Sequence, residues 1–116
     1  MNRNPGLPRG AIVLVADRRS EFGGKPRPAI VMQHSTLEAL SSVTLCLLTS
    51  TPHAAAPLLR IAVAATAQTG LRAPSWAMIE NLTTVRRNRV GKPIGRVEEG
   101  TMLAIGRALI PFLGLS

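Results

Sequence analysis

Short apolar runs, each closed by a segment rich in glycine or proline, limit what this chain can fold into. Five of them are partly β-branched, at 11–17, 29–33, 42–50, 59–65 and 75–85. Runs of this kind are typical of strands. The fifth is expected to carry a bulge or break near Asn81. A sixth segment, 90–97, holds glycine and proline and is expected to be an edge strand or extended.

The C-terminus has a different period. Apolar residues recur there at spacings of three and four, which indicates one helical face made of Met102, Ile105, Leu109, Phe112 and Leu113. Glu98 and Glu99 suit the positive end of the helix, Gly114 suits its stop, and Pro111 is expected to distort the last turn. The prediction is a mainly β protein with a C-terminal helix, in which a small, strongly curved sheet or barrel is covered by the helix. We expect one domain over 1–116, with 1–8 as a flexible arm.

The charge balance predicts a polyanionic partner. Fourteen lysines and arginines stand against six acidic residues, giving a net charge of +8, and twelve of the fourteen are arginine. The planar arginine fork binds phosphate oxygens in pairs. This favours nucleic acid first and an acidic protein second, with a merely solvated basic surface as the alternative.

Several classes of site are not supported by the sequence. Cys46 is the one cysteine, so it forms no intramolecular disulfide, and its apolar run predicts a small buried side chain. His34 and His53 have no metal-ligand spacing, and no nucleotide-binding glycine motif occurs, so neither metal nor cofactor is expected. Without a signal peptide or a membrane-length apolar run, we expect a soluble cytoplasmic protein.

The segment "GGKPRP" at 23–28 places an arginine between two prolines. Pro26 and Pro28 restrict the backbone on both sides of Arg27, so that its guanidinium leaves the chain from a stiff point. Gly23 and Gly24 allow the preceding loop to bend. This is what a phosphodiester site needs, although an ordinary proline-bounded strand with an exposed charge would look the same.

The motifs "RGAIVLV", "EFGGKPRPAIVMQ", "LCLLTS" and "GLRAPSWAMIENLTTVRRNRVGKPIGRV" resemble the MazF/PemK family of toxin endoribonucleases, over about residues 9–115. The resemblance implies a small SH3-like barrel related to the gyrase poison CcdB. It also implies a homodimeric toxin of a type II toxin–antitoxin module, paired with a cognate acidic antitoxin. Such a toxin cleaves single-stranded RNA, including mRNA, at specific sequences without metal and so inhibits translation and growth.

The resemblance also implies site residues. The family's catalytic arginine and threonine match Arg27 and Thr49. RNA contacts are assigned to the remaining polar positions of these motifs and to the basic cluster behind them: Glu21, Lys25, Ser50, Glu80, Asn81, Arg86, Arg87 and Arg89. This chain departs from the common family pattern at Ala11, at Thr83 and in the length of the loop before Arg27, which bears on the RNA contacts and the cleavage sequence.

Metal-free RNA cleavage uses the 2′-OH as the nucleophile. Arg27 is suited to hold the phosphate oxygens as charge develops and to donate to the leaving oxygen, and Thr49 can donate its hydroxyl to the same phosphate. The general base is unassigned, with Glu21 as its candidate. Alternative interpretations stay open for three of these features. Thr49 could be a plain strand-end residue, Glu80 could be an ion-pair partner of arginines, and the arginine cluster could be a surface loop.

Two other functions compete with the nuclease. A CcdB-like gyrase poison is expected to carry a C-terminal tryptophan, which the ending "PFLGLS" lacks. A plain nucleic-acid-binding barrel would leave the combination of Arg27 with Thr49 and Ser50 unexplained.

Overall fold

The structure is a computed structural model that describes residues 6–16, 25–37, 39–51 and 56–115. Within these ranges the strands form one antiparallel sheet in the order β4-β5-β3-β2-β1-β6. The elements are β1 (Ala11–Ala16), β2 (Pro26–Val31), β3 (Ser42–Thr49), β4 (Arg60–Val63), β5 (Ser75–Arg86), β6 (Gly95–Arg96) and the helix α1 (Glu99–Phe112). Short 3₁₀ turns lie at Ser35–Leu37, Pro57–Leu59 and Arg87–Arg89.

The sheet buries both of its faces. On the outer face, alternate strand residues such as Ile12, Ile30 and Cys46 pack with Ile105 of α1. On the inner face, residues such as Val13 and Val31 are fully buried although no helix residue joins their cluster. The inner face is therefore enclosed by the curl of the sheet, with Leu7 from the segment before β1 packed into the same cluster. The mainly β prediction, with a curved sheet and a C-terminal helix, is confirmed.

The six strands lie where the runs predicted them, but β2 begins three residues early, at Pro26. Its first residues pair only with β1, where Val15 faces Arg27, and pairing with β3 starts at Ala29. Prolines are tolerated there because one side of the strand is unpaired. Arg27 is consequently a strand residue, not a loop residue.

The break predicted near Asn81 is confirmed. Cys46 of β3 pairs with Leu82 of β5, but Leu48 pairs with Ala77, so the four residues Met78–Asn81 stand opposite Leu47 alone. Such a bulge bends its strand and re-aims its side chains.

The helix follows its predicted face only in part. Ile105 is fully buried, but Phe112 and Leu113, at the end of α1, are 43% and 49% exposed. The helix ends at Phe112, and Gly114 takes the left-handed conformation with φ of 70° that closes it. Pro111 lies inside the last turn. The helix thus contacts the sheet through its first three turns.

At the other end of the chain, Leu7 lies in the arm predicted over 1–8 but is buried in the inner-face cluster. Leu7 therefore belongs to the core, whereas Pro8, also in this arm, is exposed. None of the helices in the described ranges has the length and apolar character needed to cross a bilayer.

Candidate active site

A groove of about 360 Å³ opens where the inner face reaches the end of the sheet. Its lining comes from β1, β2, β3, β5 and the turn after β5: Val15, Ala16, Arg27, Leu47, Asn81, Leu82, Thr83, Thr84, Val85 and Arg89. Among the described residues of this lining, two carry guanidinium groups and none carries a carboxylate. Two guanidinium groups that line one groove attract anions.

Arg27 enters the groove as the continuation of the inner-face row of β2. Side chains of a strand alternate, so Arg27 shares its face with Ala29 and Val31, which are buried, while Arg27 itself is exposed. The pairing of β2 with Val15 of β1 holds its backbone. The stiff placement expected from the flanking prolines thus directs the guanidinium toward the groove.

Thr49 ends β3 and is not among the described residues that line the groove. The pairing of β2 with β3 ends at Ala29 and Leu47, so Arg27 and Thr49 each lie two residues beyond the last pair of their strands. The hydroxyl of Thr49 accepts a hydrogen bond from the backbone N–H of Thr51 at 3.1 Å. As a donor, Oγ1 of Thr49 lies 3.5 Å from the carbonyl oxygen of Thr51, which is long for an O–H hydrogen bond. The hydroxyl is thus oriented by the turn while it keeps donor capacity.

Asn81 and Arg89 also belong to the polar lining, together with Thr83 and Thr84. Asn81 belongs to the bulge of β5, and Arg89 lies in the 3₁₀ turn directly before Val90, which bridges to Val15 of β1. That bridge brings the end of the basic cluster to the groove. Arg86 and Arg87 do not line it, and neither do Lys25 and Ser50, which are exposed, with Ser50 following directly on Thr49. Glu21 lies outside the described residues.

Glu80 also lies outside the lining, because its carboxylate is bound to Arg60. Nη1 of Arg60 donates to both carboxylate oxygens, with 2.6 Å to Oε2, and also to the carbonyl of Leu59 at 3.1 Å. The side chains of Arg60 and Glu80 are 10% and 31% exposed. The ion-pair interpretation of Glu80 is supported, but its partner comes from β4. Sequence reasoning missed Arg60 because the two residues are 20 positions apart and no local pattern links them.

Cys46 lies beneath this pair on the outer face. Its thiol donates to the carbonyl of Met78 at 3.3 Å and is fully buried. Burial, with the nearby charge of Glu80, raises the pKa of the Cys46 thiol to about 12. The thiol stays protonated at neutral pH and offers no nucleophile, so the prediction of a small buried side chain is confirmed.

Metal ligands are not grouped in the part of the chain that the structure describes: no three His, Cys, Asp or Glu side chains come together there. His34 is exposed and makes a local contact from Nδ1 to the hydroxyl of Thr36 at 2.9 Å, and His53 lies outside the described residues. The groove itself can do chemistry by holding an anion between guanidinium, amide and hydroxyl donors.

Comparison with known proteins gives consistent matches. Residues 8–113 match a family described as PemK-like, MazF-like toxin of type II toxin–antitoxin system. A protein from Mycolicibacterium smegmatis named "Probable endoribonuclease MazF" is 39% identical over 104 residues, which span 90% of this chain and 94% of the relative.

Solved structures share the fold. The Mycobacterium tuberculosis toxin MazF-mt6 has a TM-score of 0.77 at 21% identity, covering 91% of this chain and 98% of its own. A MazE-MazF structure from Deinococcus radiodurans has a TM-score of 0.74 at 18% identity, covering 94% and 97%. At these identities the likeness establishes the architecture alone.

Proposed function

Because the chain belongs to the PemK-like, MazF-like toxin family of type II toxin–antitoxin systems, we propose that it cleaves single-stranded RNA without a metal ion. The observation that carries this proposal is the groove, in which Arg27 and Arg89 line one anion-attracting surface and none of the described lining residues has a carboxylate. The relative from M. smegmatis, named a probable endoribonuclease, supports the same activity.

In the proposed reaction the 2′-oxygen of a ribose attacks the adjacent phosphorus. The O2′–P bond forms, the P–O5′ bond breaks, and the leaving 5′-oxygen takes a proton from water, so the products are a 2′,3′-cyclic phosphate and a 5′-OH. Arg27 holds the non-bridging oxygens as negative charge builds on them and donates a hydrogen bond to the leaving 5′-oxygen. Thr49 donates its hydroxyl to the same phosphate. We retain Glu21 as the candidate for the base that accepts the 2′-OH proton.

The RNA strand is proposed to follow the basic surface on both sides of the reacting phosphate. Asn81 and Arg89 contact it within the groove, and the contacts outside the groove come from Lys25, Ser50, Arg86 and Arg87. Glu80, whose carboxylate binds Arg60, stands next to Asn81 at the edge of this surface. Neighbouring phosphates are attracted by the net charge of +8.

We further propose that the protein acts as a homodimer neutralised by an acidic antitoxin. A solved relative is titled an endoribonuclease in complex with its cognate antitoxin, from a mycobacterial species, and another is the MazE-MazF structure. A chain of net charge +8 attracts an acidic peptide for the same physical reason that it attracts RNA.

Cleavage of a long RNA in the presence of EDTA tests the reaction. We expect cutting at the untreated rate, with 2′,3′-cyclic or 3′-phosphate ends on one fragment and 5′-OH ends on the other. Cleavage that stops on chelation, or fragments with 5′-phosphates, would contradict the 2′-OH mechanism. A parallel DNA supercoiling assay with gyrase tests the rival poison, for which inhibition without RNA cleavage would be the signature.

A further inference from the structure

We propose that the Arg60–Glu80 ion pair is a positioning device, which holds the bulge of β5 so that Asn81 is presented to the groove. The inference rests on the proposed function, because Asn81 matters as an RNA contact only if the groove binds RNA. Neither residue of the pair touches the groove, so both act through Asn81.

The first argument is that part of β5 has no strand to hold it. The β4 ladder ends where Arg60 pairs with Met78, and the β3 ladder is interrupted between Ala77 and Leu82. In the described residues no neighbouring strand pairs with 79–81 on either side. Side-chain contacts must therefore set the conformation of this stretch, which includes Asn81.

Three such contacts converge on the bulge. The Cys46 thiol donates to the carbonyl of Met78 at 3.3 Å, and Nδ2 of Asn81 lies 3.4 Å from the sulfur of Met78. The contact of Arg60 with both oxygens of Glu80 is the charged one. Hydrogen bonds between charged groups are stronger than neutral ones or those to sulfur, so the ion pair is the strongest of these three contacts. Ile79, fully buried in the outer-face cluster, anchors the same stretch.

The second argument is burial. Arg60 is only 10% exposed, and its buried Nε has no hydrogen-bond partner among the described residues. A guanidinium in this setting depends on its carboxylate, because a buried charge without its partner is strongly unfavourable. Glu80 therefore stays fixed on the side of β4. Asn81, the next residue along the bulge, lines the groove, so fixing Glu80 limits the directions in which its neighbour can point.

The test is a double-mutant cycle on RNA cleavage. Glu80→Gln keeps the size of the side chain but removes its charge, and we expect kcat/KM to fall, by up to roughly 10²-fold, because a small misplacement of a substrate contact has this effect. In an Asn81→Ala background, Glu80→Gln should cause no further decrease in kcat/KM. Glu98→Gln, which alters an exposed carboxylate outside the groove, serves as the matched control and should leave kcat/KM unchanged.

Two further measurements separate the outcomes. Should Glu80→Gln fail to fold, Arg60→Met combined with Glu80→Gln removes both charges without leaving one buried and unpaired, and the same loss of kcat/KM is expected. Amide hydrogen exchange at residues 79–81 should speed up in the folded variants, and this readout needs no cleavage. If the wild-type protein cuts no RNA, the proposed function fails. Hydrogen exchange alone then tests whether the ion pair restrains residues 79–81.

Two results would overturn the inference. One is wild-type cleavage and unchanged exchange in the variants that lack the pair. The other is a loss on Glu80→Gln that is the same with and without Asn81, which would mean that Glu80 acts independently of its neighbour.

Discussion

The two faces of the sheet are built from the same strands but serve different ends. Along β2, Ile30 points to the outer face and is sealed beneath the helix, whereas Ala29 and Val31 point inward and lead to Arg27 at the groove. On its outer side β2 carries Pro26, Pro28 and Ile30, while its inner row changes from apolar Ala29 to cationic Arg27 within two residues. Strand alternation thus lets one short strand stabilise the fold on one side and form an anion site on the other.

The sharpest test of this contrast is Arg27→Ala. The side chain is exposed and contributes charge but little core volume, so the unfolding transition should stay in place. Cleavage should fall by roughly 10²–10³-fold or more, the usual effect of removing one preorganised donor at a developing oxyanion. Cleavage kinetics and circular dichroism melting measure the two quantities. Arg96→Ala removes an exposed arginine of β6 outside the groove and should leave both unchanged. A lower melting temperature in Arg27→Ala would instead make Arg27 part of the structural framework.

A smaller loss is expected for Thr49→Ala. A hydrogen bond to a charged group contributes about 1.5–3 kcal/mol, which corresponds to roughly 10–100-fold in rate. Because the same hydroxyl accepts from Thr51, a modest loss of stability should accompany it. Thr49→Ser keeps the hydroxyl and should retain most of the activity. Equal activity in the alanine and serine variants would remove the hydroxyl from the chemistry and leave Thr49 as a strand-end residue.

The outer face should respond to pH through Cys46. Its pKa is raised from 9.0 to about 12 in the folded protein, so above pH 9 the unfolded chain loses the thiol proton first. The contribution of the protonated thiol to the free energy of unfolding is complete below pH 9. It is lost as the pH rises toward 12, by about 1.4 kcal/mol per pH unit. The free energy of unfolding, measured with urea, should therefore fall more steeply between pH 9 and 10 for the wild type than for Cys46→Ala. Parallel slopes for the two proteins would show that the thiol is already accessible in the folded state.

Much of the candidate site follows from local sequence, and the rest does not. The prolines around Arg27 indicate a stiff backbone because they act on their immediate neighbours. Which of the clustered arginines reaches the groove depends instead on the bridge between Val15 and Val90, which selects Arg89. The partner of Glu80 depends on β4 lying beside β5, and only the folded sheet brings Arg60 there.

The sequence by itself determined the strand pattern, the terminal helix with its stop at Gly114, the burial of Cys46 and the basic character of the surface. These features rest on alternation, helical period, turn chemistry and charge, all of which act over a few residues. The tertiary structure decided the length of β2, the alignment of the bulge, the pairing of Arg60 with Glu80 and the exposure of Phe112 at the helix end. Each of these depends on contacts between residues far apart in the chain, whose formation is set by the register and curl of the whole sheet.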